Sequence, residues 1–376
     1  MVRVQRVTTV QELVPLQEEW DRLAARALEP EPYVTHEWVS LWCQHFAREG
    51  DLYLLLVWDD ARLIGVAPLM RTVRRLKGLT VRQLGFLLNV CNVRANLLID
   101  PNKARECLRA LTEYLQTVKQ EWDILALYGM SGASRVPEWL CTVPDIQHAG
   151  LRVFPVSSWE NSYVSLAGGW EGYLAARSIN FRRQVKREIR ELETAGDVCF
   201  RCDSTPESVP QAVRTFLSVE ARSWKAQGGD SLTARPDAQA FYQDLLHRYA
   251  GRRAWRQWTL SIDGQPVASI FGILYGGKLY AEKTAYVALP GKGSPGNTII
   301  RHAIEQACQE DALSEIDLDQ RTAFTGRWQT GVRPYHYVEI FNGTPYSQLL
   351  WRLKQWVRVW RGIRSGVRRQ ASETSV

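Results

Sequence analysis

The stretch SIDGQPVASIFGILYGGKLY, Ser261 to Tyr280, consists of two apolar runs joined by an Asp-Gly turn. Much earlier, Val57 to Met70 reads VWDDARLIGVAPLM, with the same layout. Apolar runs on either side of a two-residue turn are strand hairpins. Around each hairpin one order recurs: strand, helices, antiparallel meander, helix, strand. A repeat with a period of about 200 residues predicts two copies of one mixed domain. The length agrees: 376 residues exceed what a single hydrophobic core commonly serves. The expected fold class is therefore α+β, two tandem domains over 1–168 and 169–345, each a mixed, mostly antiparallel sheet flanked by helices. A tail over 346–376 follows.

Local signals fill in each copy. Val2 to Val7 is a strand candidate, with helical patterns near 10–27 and 35–48, the second capped by Thr35. KARECLRALTEYLQTV is an amphipathic helix, and WDILALYGM a buried strand. In the second half Phe181, Val185, Ile189 and Leu192 repeat at helical spacing, and VCFRCD is the next strand. Helices are expected near 207–227 and 236–250, a meander from Trp255, a helix from about Gly296, and a strand at SEIDLDQ.

Composition narrows the class. The formal charge is +7, and the seven cysteines are odd in number and lack framework spacing, which favours reduced thiols. No apolar run approaches 18 residues and MVRVQRVTTVQELVPL has no signal-peptide core, so a cytoplasmic soluble protein is expected. No metal is expected. Cys199 and Cys202 point to opposite faces of their strand, zinc wants four ligands, and the six histidines form no metal-spaced pair. Beyond charge, nothing points to nucleic acid.

The most informative connection is AYVALPGKGSPGNTIIRHAIEQA. Gly291, Gly293 and Gly296, with Lys292, lie between a strand and a helix start. A glycine-rich loop that feeds a helix N-terminus presents unpaired N–H groups and the positive dipole end, a geometry that suits a diphosphate. A plain strand-to-helix turn is the other reading. No Walker or dinucleotide fingerprint is present.

Four segments, DDARLIGVAPL, SINFRRQVKREIRELETAGDV, IDGQPVASIFG and GKGSPGNTIIRHAIEQACQEDALSEIDL, now form a recognisable series. In this order the chain resembles the GNAT acyltransferase superfamily. The likeness is to its double-domain branch linked to cellulose and exopolysaccharide biosynthesis, related to the Fem-type peptidyl transferases. The resemblance implies an acyl-CoA donor, held by the C-terminal copy at Gly291, Lys292, Gly293, Ser294, Gly296 and Asn297. The N-terminal copy, with LLNVCNVRANL in place of a glycine loop, is then structural and walls the acceptor cleft.

Acyl transfer needs a donor to polarise the thioester carbonyl, here backbone N–H groups among Thr284, Tyr286 and Val287. It also needs a base, for which Glu282, Asp317 and Asp319 are candidates; alternation puts the two aspartates on one strand face. Relatives follow this strand with a Tyr-Lys pair and then a Trp, whereas this chain has DLDQRTAFTGRW. Phe324 and Thr325 fall where the pair would be, and Arg327 and Trp328 keep the downstream positions. Either other groups serve (Tyr286, Tyr335, His336 or Arg327), or acceptor choice has changed, or the domain binds without catalysing.

Three surface features complete the reading. Arg182, Arg183 and Lys186, with Arg187 and Arg190, make a basic stripe that either holds an anionic acceptor or is a solvated face. Trp224 and Trp328 line the acceptor groove by resemblance, beside Phe324 and Arg327. From Ile340 to Ser372 there are seven basic residues and no acidic one. The apolar spacing of Leu350, Leu353, Trp356, Val357 and Trp360 suits either an anionic membrane surface, through 346–370, or packing on the domain. The leading expectation is a cytoplasmic acyltransferase, peripheral at the inner membrane surface, acting on the amine or hydroxyl of an envelope-polysaccharide precursor. The alternatives are a Fem-like transferase that takes its donor from aminoacyl-tRNA, and a non-catalytic accessory protein.

Overall fold

A computed structural model of the chain describes residues 1–76, 78–89, 92–227, 231–289 and 293–358. The first half holds β1 (Val2–Val7), α1 (Gln17–Ala24), α2 (His36–Phe46), β2 (Leu54–Asp59), β3 (Arg62–Ala67), β4 (Leu69–Leu76), β5 (Leu79–Phe86), β6 (Leu98–Ile99), α3 (Ala104–Thr117), β7 (Ile124–Ser131), α4 (Val136–Thr142), α5 (Pro144–His148) and β8 (Arg152–Ser165). Thr35 caps α2 as its sequence position suggests, accepting from the Trp38 N–H. The second half holds α6 (Gly169–Ala175), α7 (Ile179–Glu193), β9 (Val198–Asp203), α8 (Val209–Glu220), α9 (Pro236–Gly251), β10 (Trp255–Ile262), β11 (Gln265–Tyr275), β12 (Lys278–Tyr286), α10 (Pro295–Ala307), β13 (Glu315–Gln320), α11 (Ala323–Gly326), β14 (Gly331–Phe341) and α12 (345–358).

The β10–β12 meander is built by its turns. Asp263 and Gly264 have φ of 50° and 74°, and Gly276 and Gly277 have 56° and 74°. Two consecutive positive φ values match the right-handed twist of the flanking strands, which is why Asp-Gly and Gly-Gly occur there.

The two sheets run β1-β2-β3-β6 and β4-β5-β7-β14-β8-β13-β12-β11-β10-β9. From β4 to β11 the larger one is symmetric about the β14–β8 pair. β5 and β7 pair in parallel through Gln83, Leu84 and Gly85, and β12 and β13 pair in parallel through Lys278, Leu279 and Tyr280. Each half then lends its last strand to the other. β8 pairs with β13, β14 pairs with β7, and β8 and β14 pair with each other along 11 positions. The larger sheet thus runs through both halves, while the smaller one belongs to the first half alone. Continuity fails in the first half at Pro68, where one long strand, like β11, is replaced by β3 and β4. Proline has no N–H for the ladder, so the sheet splits there.

Helices cover the fused sheet. α1 and α2 pack with α8 and α9 in a single core that includes Trp38, Trp42, Phe241, Tyr242, Phe271 and Tyr280. On the other face of the second half, α7 and α10 cover Ile270, Leu279, Ile316 and Leu318. α12 rests through Leu350 on Val81, Ile124, Phe154 and Phe341. The part of the expected tail beyond residue 358 lies outside the described residues.

Candidate active site

β12 and β13 stay paired only as far as Tyr280 and Asp317, then separate. The Val287 N–H donates to the Val267 carbonyl at 2.8 Å. By ladder alternation Ala285 also turns its backbone groups to β11, and those of Thr284 and Tyr286 face the open edge. Of the three amides considered for polarising a carbonyl, Val287 is therefore taken. The open-edge carbonyl of Thr284 accepts from Lys225 Nζ at 2.8 Å. Burial, with Lys283 next, lowers the pKa of that ammonium from its ordinary value.

Glu282 sits on the same edge, partly buried, and accepts from the Tyr33 hydroxyl at 2.7 Å. Burial raises its pKa, against the opposing pull of Arg94 and of the Tyr33 hydrogen bond. A carboxylate pushed upward this way is better matched to accepting a proton near neutrality. Burial also pushes the Tyr33 phenol well above its ordinary range, so it remains a donor.

The first half completes the floor. β5 and β7 separate just as β12 and β13 do, but here the chain fills its own opening. Asn89 and Asn92 exchange backbone hydrogen bonds, and the Ala95 N–H donates to the Gly129 carbonyl at 3.3 Å. Gly129 has φ 88°, and a side chain there would run into the Val93 carbonyl. The plug carries Arg94 across to the second half, where its guanidinium meets Asp317 at 3.0 Å and Asp319 at 2.8 Å. Asp317 is fully buried, also faces Arg333 at 3.4 Å, and accepts the Asp319 N–H at 2.8 Å. So many partners leave it no role as a base. Asp319 is more open, 42% exposed at its side chain, with φ 64°. Asn161 donates to it at 3.4 Å, and the buried Asn161 carbonyl oxygen has no partner. Tyr335 donates to the buried Glu31 at 2.9 Å; burial, then Glu29, raises Glu31 to about 7.

At the start of α10, residues 291 and 292 of the expected phosphate loop lie outside the described residues. Gly293, φ 80°, lies so close to α7 that a Cβ would come within 2.6 Å of the Glu188 carbonyl. Ser294 caps the helix, accepting from the Asn297 N–H at 3.4 Å, and Gly296 packs on the Tyr286 ring. The Glu188 carboxylate lies against the Asn297 side chain in the first turn of α10. It accepts from Asn297 Nδ2 at 3.3 Å and from Arg327 at 2.9 and 3.1 Å. Phe324 stacks on Tyr286, centroids 5.4 Å apart. The Asn297 and Arg327 side chains are thus already partnered by a carboxylate of this chain.

Two expected contacts fail. Trp328 is fully buried, its Nε1 donating to Asn297 Oδ1 at 3.4 Å, and so lines no open groove. Arg182, Arg183 and Lys186 lie on the outer side of α7, which covers the sheet face opposite Glu282. Trp224 remains 68% exposed beside Lys225. Sequence reading passed over Tyr33, Arg94, Asn161 and Lys225. They sit in loops or on an exchanged strand, and only chain topology brings them together.

Residues 180–333 match the model of the family described as acetyltransferase (GNAT) domain. The match lies within the second half and includes none of the first. No curated protein matches the chain. Among solved structures it is similar to FemX, with a TM-score of 0.56 and 10% identity over 92% of this chain and 99% of that one. It is also similar to the C-terminal domain (DUF2156) of a putative lysylphosphatidylglycerol synthetase from Agrobacterium fabrum, with TM-score 0.53, 12% identity, and 91% and 96% covered. A conserved protein of unknown function from Bacteroides thetaiotaomicron VPI-5482 gives 0.52, 11%, 91% and 100%. At such identities the likeness is one of fold: the whole two-half architecture recurs in these proteins.

Proposed function

We propose that the chain transfers an acyl group from acyl-CoA to an amine or hydroxyl acceptor. The observation that carries this reading is the opening between β12 and β13, with a carboxylate of raised pKa, Glu282, on its edge. The donor supplies the acyl thioester. The open-edge amides of Thr284 and Tyr286 bind its carbonyl oxygen, and Glu282 takes the proton as the acceptor attacks. The carbon–sulfur bond breaks with its electron pair on sulfur, and the Lys225 ammonium lies beside that edge. Asp319 and Tyr286 shape the cleft, with Trp224 at its mouth. Ser294, Gly296 and Asn297 hold the diphosphate after Arg327 turns from Glu188 to it. The first half, its own opening plugged, walls the cleft.

The acceptor is read as an envelope-polysaccharide precursor, met by a cytoplasmic protein at the inner membrane surface. Among the described residues no helix is long and apolar enough to cross a membrane. α12 nevertheless exposes Leu349 (48%), Leu353 (43%) and Trp356 (65%) along one side, with Arg352 next to them. Such a surface suits contact with an anionic bilayer.

Mass spectrometry of small molecules that co-purify with the protein, followed by thiol release from the CoA ester found, is the test. Recovery of a CoA ester, with release lost in Glu282→Gln, is expected. Neither a bound ester nor release from any acyl-CoA would remove the proposal. One observation favours a second donor: Glu188 already partners the Asn297 and Arg327 side chains that a diphosphate would use. If Glu188→Gln does not tighten acyl-CoA binding and charged tRNA supports transfer, aminoacyl-tRNA replaces acyl-CoA in the account.

A further inference from the structure

A groove of about 700 Å³ runs between α6, α7 and α10, on the sheet face away from Glu282. That volume is enough for a small-molecule ligand. Its floor is apolar, formed by Trp170, Leu174, Ile179, Val185 and Ile189. Ile179 stays 54% exposed. Trp170 is held flat against Tyr173, ring centroids 5.5 Å apart and planes 17° apart.

The charged lining is net cationic: Arg182, Arg183, Lys186 and Arg301 against Glu171 and Glu305. Arg182, Arg183 and Lys186 occupy one and a half turns of α7, and no carboxylate among the described residues pairs with them. Their neighbours are paired: Arg187 meets Glu191 at 3.4 Å and Arg301 meets Glu305 at 2.9 Å. Like charges at this spacing repel, and a bound anion relieves that repulsion. A purely ionic ligand would leave the apolar floor bare, and a neutral lipid would leave the rim uncompensated.

We infer that this groove binds one anionic amphiphile, an alkyl or acyl chain bearing a phosphate or carboxylate head. The chain lies on Trp170, Leu174 and Ile179, and the head meets Arg182, Arg183 and Lys186. The site is separate from the donor cleft and does not depend on the transferase reading.

Dodecyl phosphate, below its micellar concentration, is titrated calorimetrically into the full-length protein. Parallel titrations use inorganic phosphate, dodecyl maltoside and phosphatidylglycerol vesicles. The expected result is one saturable site for dodecyl phosphate, at least tenfold tighter than for either half-ligand. Affinity falls at least tenfold in Arg182→Glu/Lys186→Glu and in Ile179→Asp, while circular dichroism and melting temperature hold. Equal binding of dodecyl maltoside, indifference to charge reversal, or displacement by CoA would each overturn the assignment. Binding to vesicles with none to the monomeric amphiphile would also overturn it, replacing the groove with a surface contact.

Discussion

Glu31 gives the sharpest test of how the halves are joined. It is 3% exposed, accepts from Tyr335 of β14 at 2.9 Å and from Asn96 at 3.4 Å, and is raised from 4.5 to about 7. An acid whose folded pKa lies above its unfolded one contributes most below the unfolded value. That contribution is lost as pH climbs through the folded value. Below 4.5 both states hold the proton. Between 4.5 and 7 only the folded state does, and above 7 burial of the charge costs about 3 kcal/mol. Across pH 5 to 8 the change is about 2.5 kcal/mol. In Glu31→Gln that slope disappears while the hydrogen-bond shape is kept. Urea unfolding of both proteins at half-unit steps reads the difference, since titrating groups not coupled to Glu31 cancel. The variant should gain on wild type steadily up to about pH 7.5, by roughly 2–3 kcal/mol. Parallel stability curves would refute the reasoning, because Glu31 would then not be buried against β14 as described.

Arg94→Met leaves Asp317 buried with only Arg333 for a counter-charge, and stability should fall by about 3–5 kcal/mol in chemical denaturation. A loss under 1 kcal/mol would mean the aspartate is not enclosed. Under the transferase reading, Glu282→Gln should lower thiol release by about 10²–10⁴-fold. The acid limb of the wild-type pH–rate profile, placed above the ordinary carboxyl range by burial, should vanish with it. Survival of that limb would assign the base elsewhere. Leu353→Asp/Trp356→Ser should abolish sedimentation with phosphatidylglycerol vesicles; unchanged sedimentation would move any membrane contact off α12.

The local elements could be read because each rests on short-range chemistry. The Asp263–Gly264 turn, the Thr35 cap and the apolar face of α3 each need only neighbours in sequence to form. β8 and β14 could not be read that way. RVFPVSSWENSYVS and GVRPYHYVEIF are polar and carry prolines, and their strand character comes from pairing with each other and with opposite halves. The site shows the same division. Glu282 and Asp319 lie on strands that the repeat predicts, and alternation gives their edge. Tyr33 and Arg94 arrive from loops roughly 200 residues or more away, and nothing in EPYV or NVRAN marks them. Trp328, which the resemblance puts on the acceptor groove, is enclosed instead by α10, through Asn297, and by Arg177, which donates to its carbonyl.

Hydrogen exchange followed by mass spectrometry, with and without acetyl-CoA, addresses the donor cleft most directly. Amides over 282–287 and 293–298 should slow when the ligand is added, and those of the plugged opening at 83–89 should not change. Unaltered exchange in the second half, or protection confined to the first, would contradict the assignment of the opening between β12 and β13.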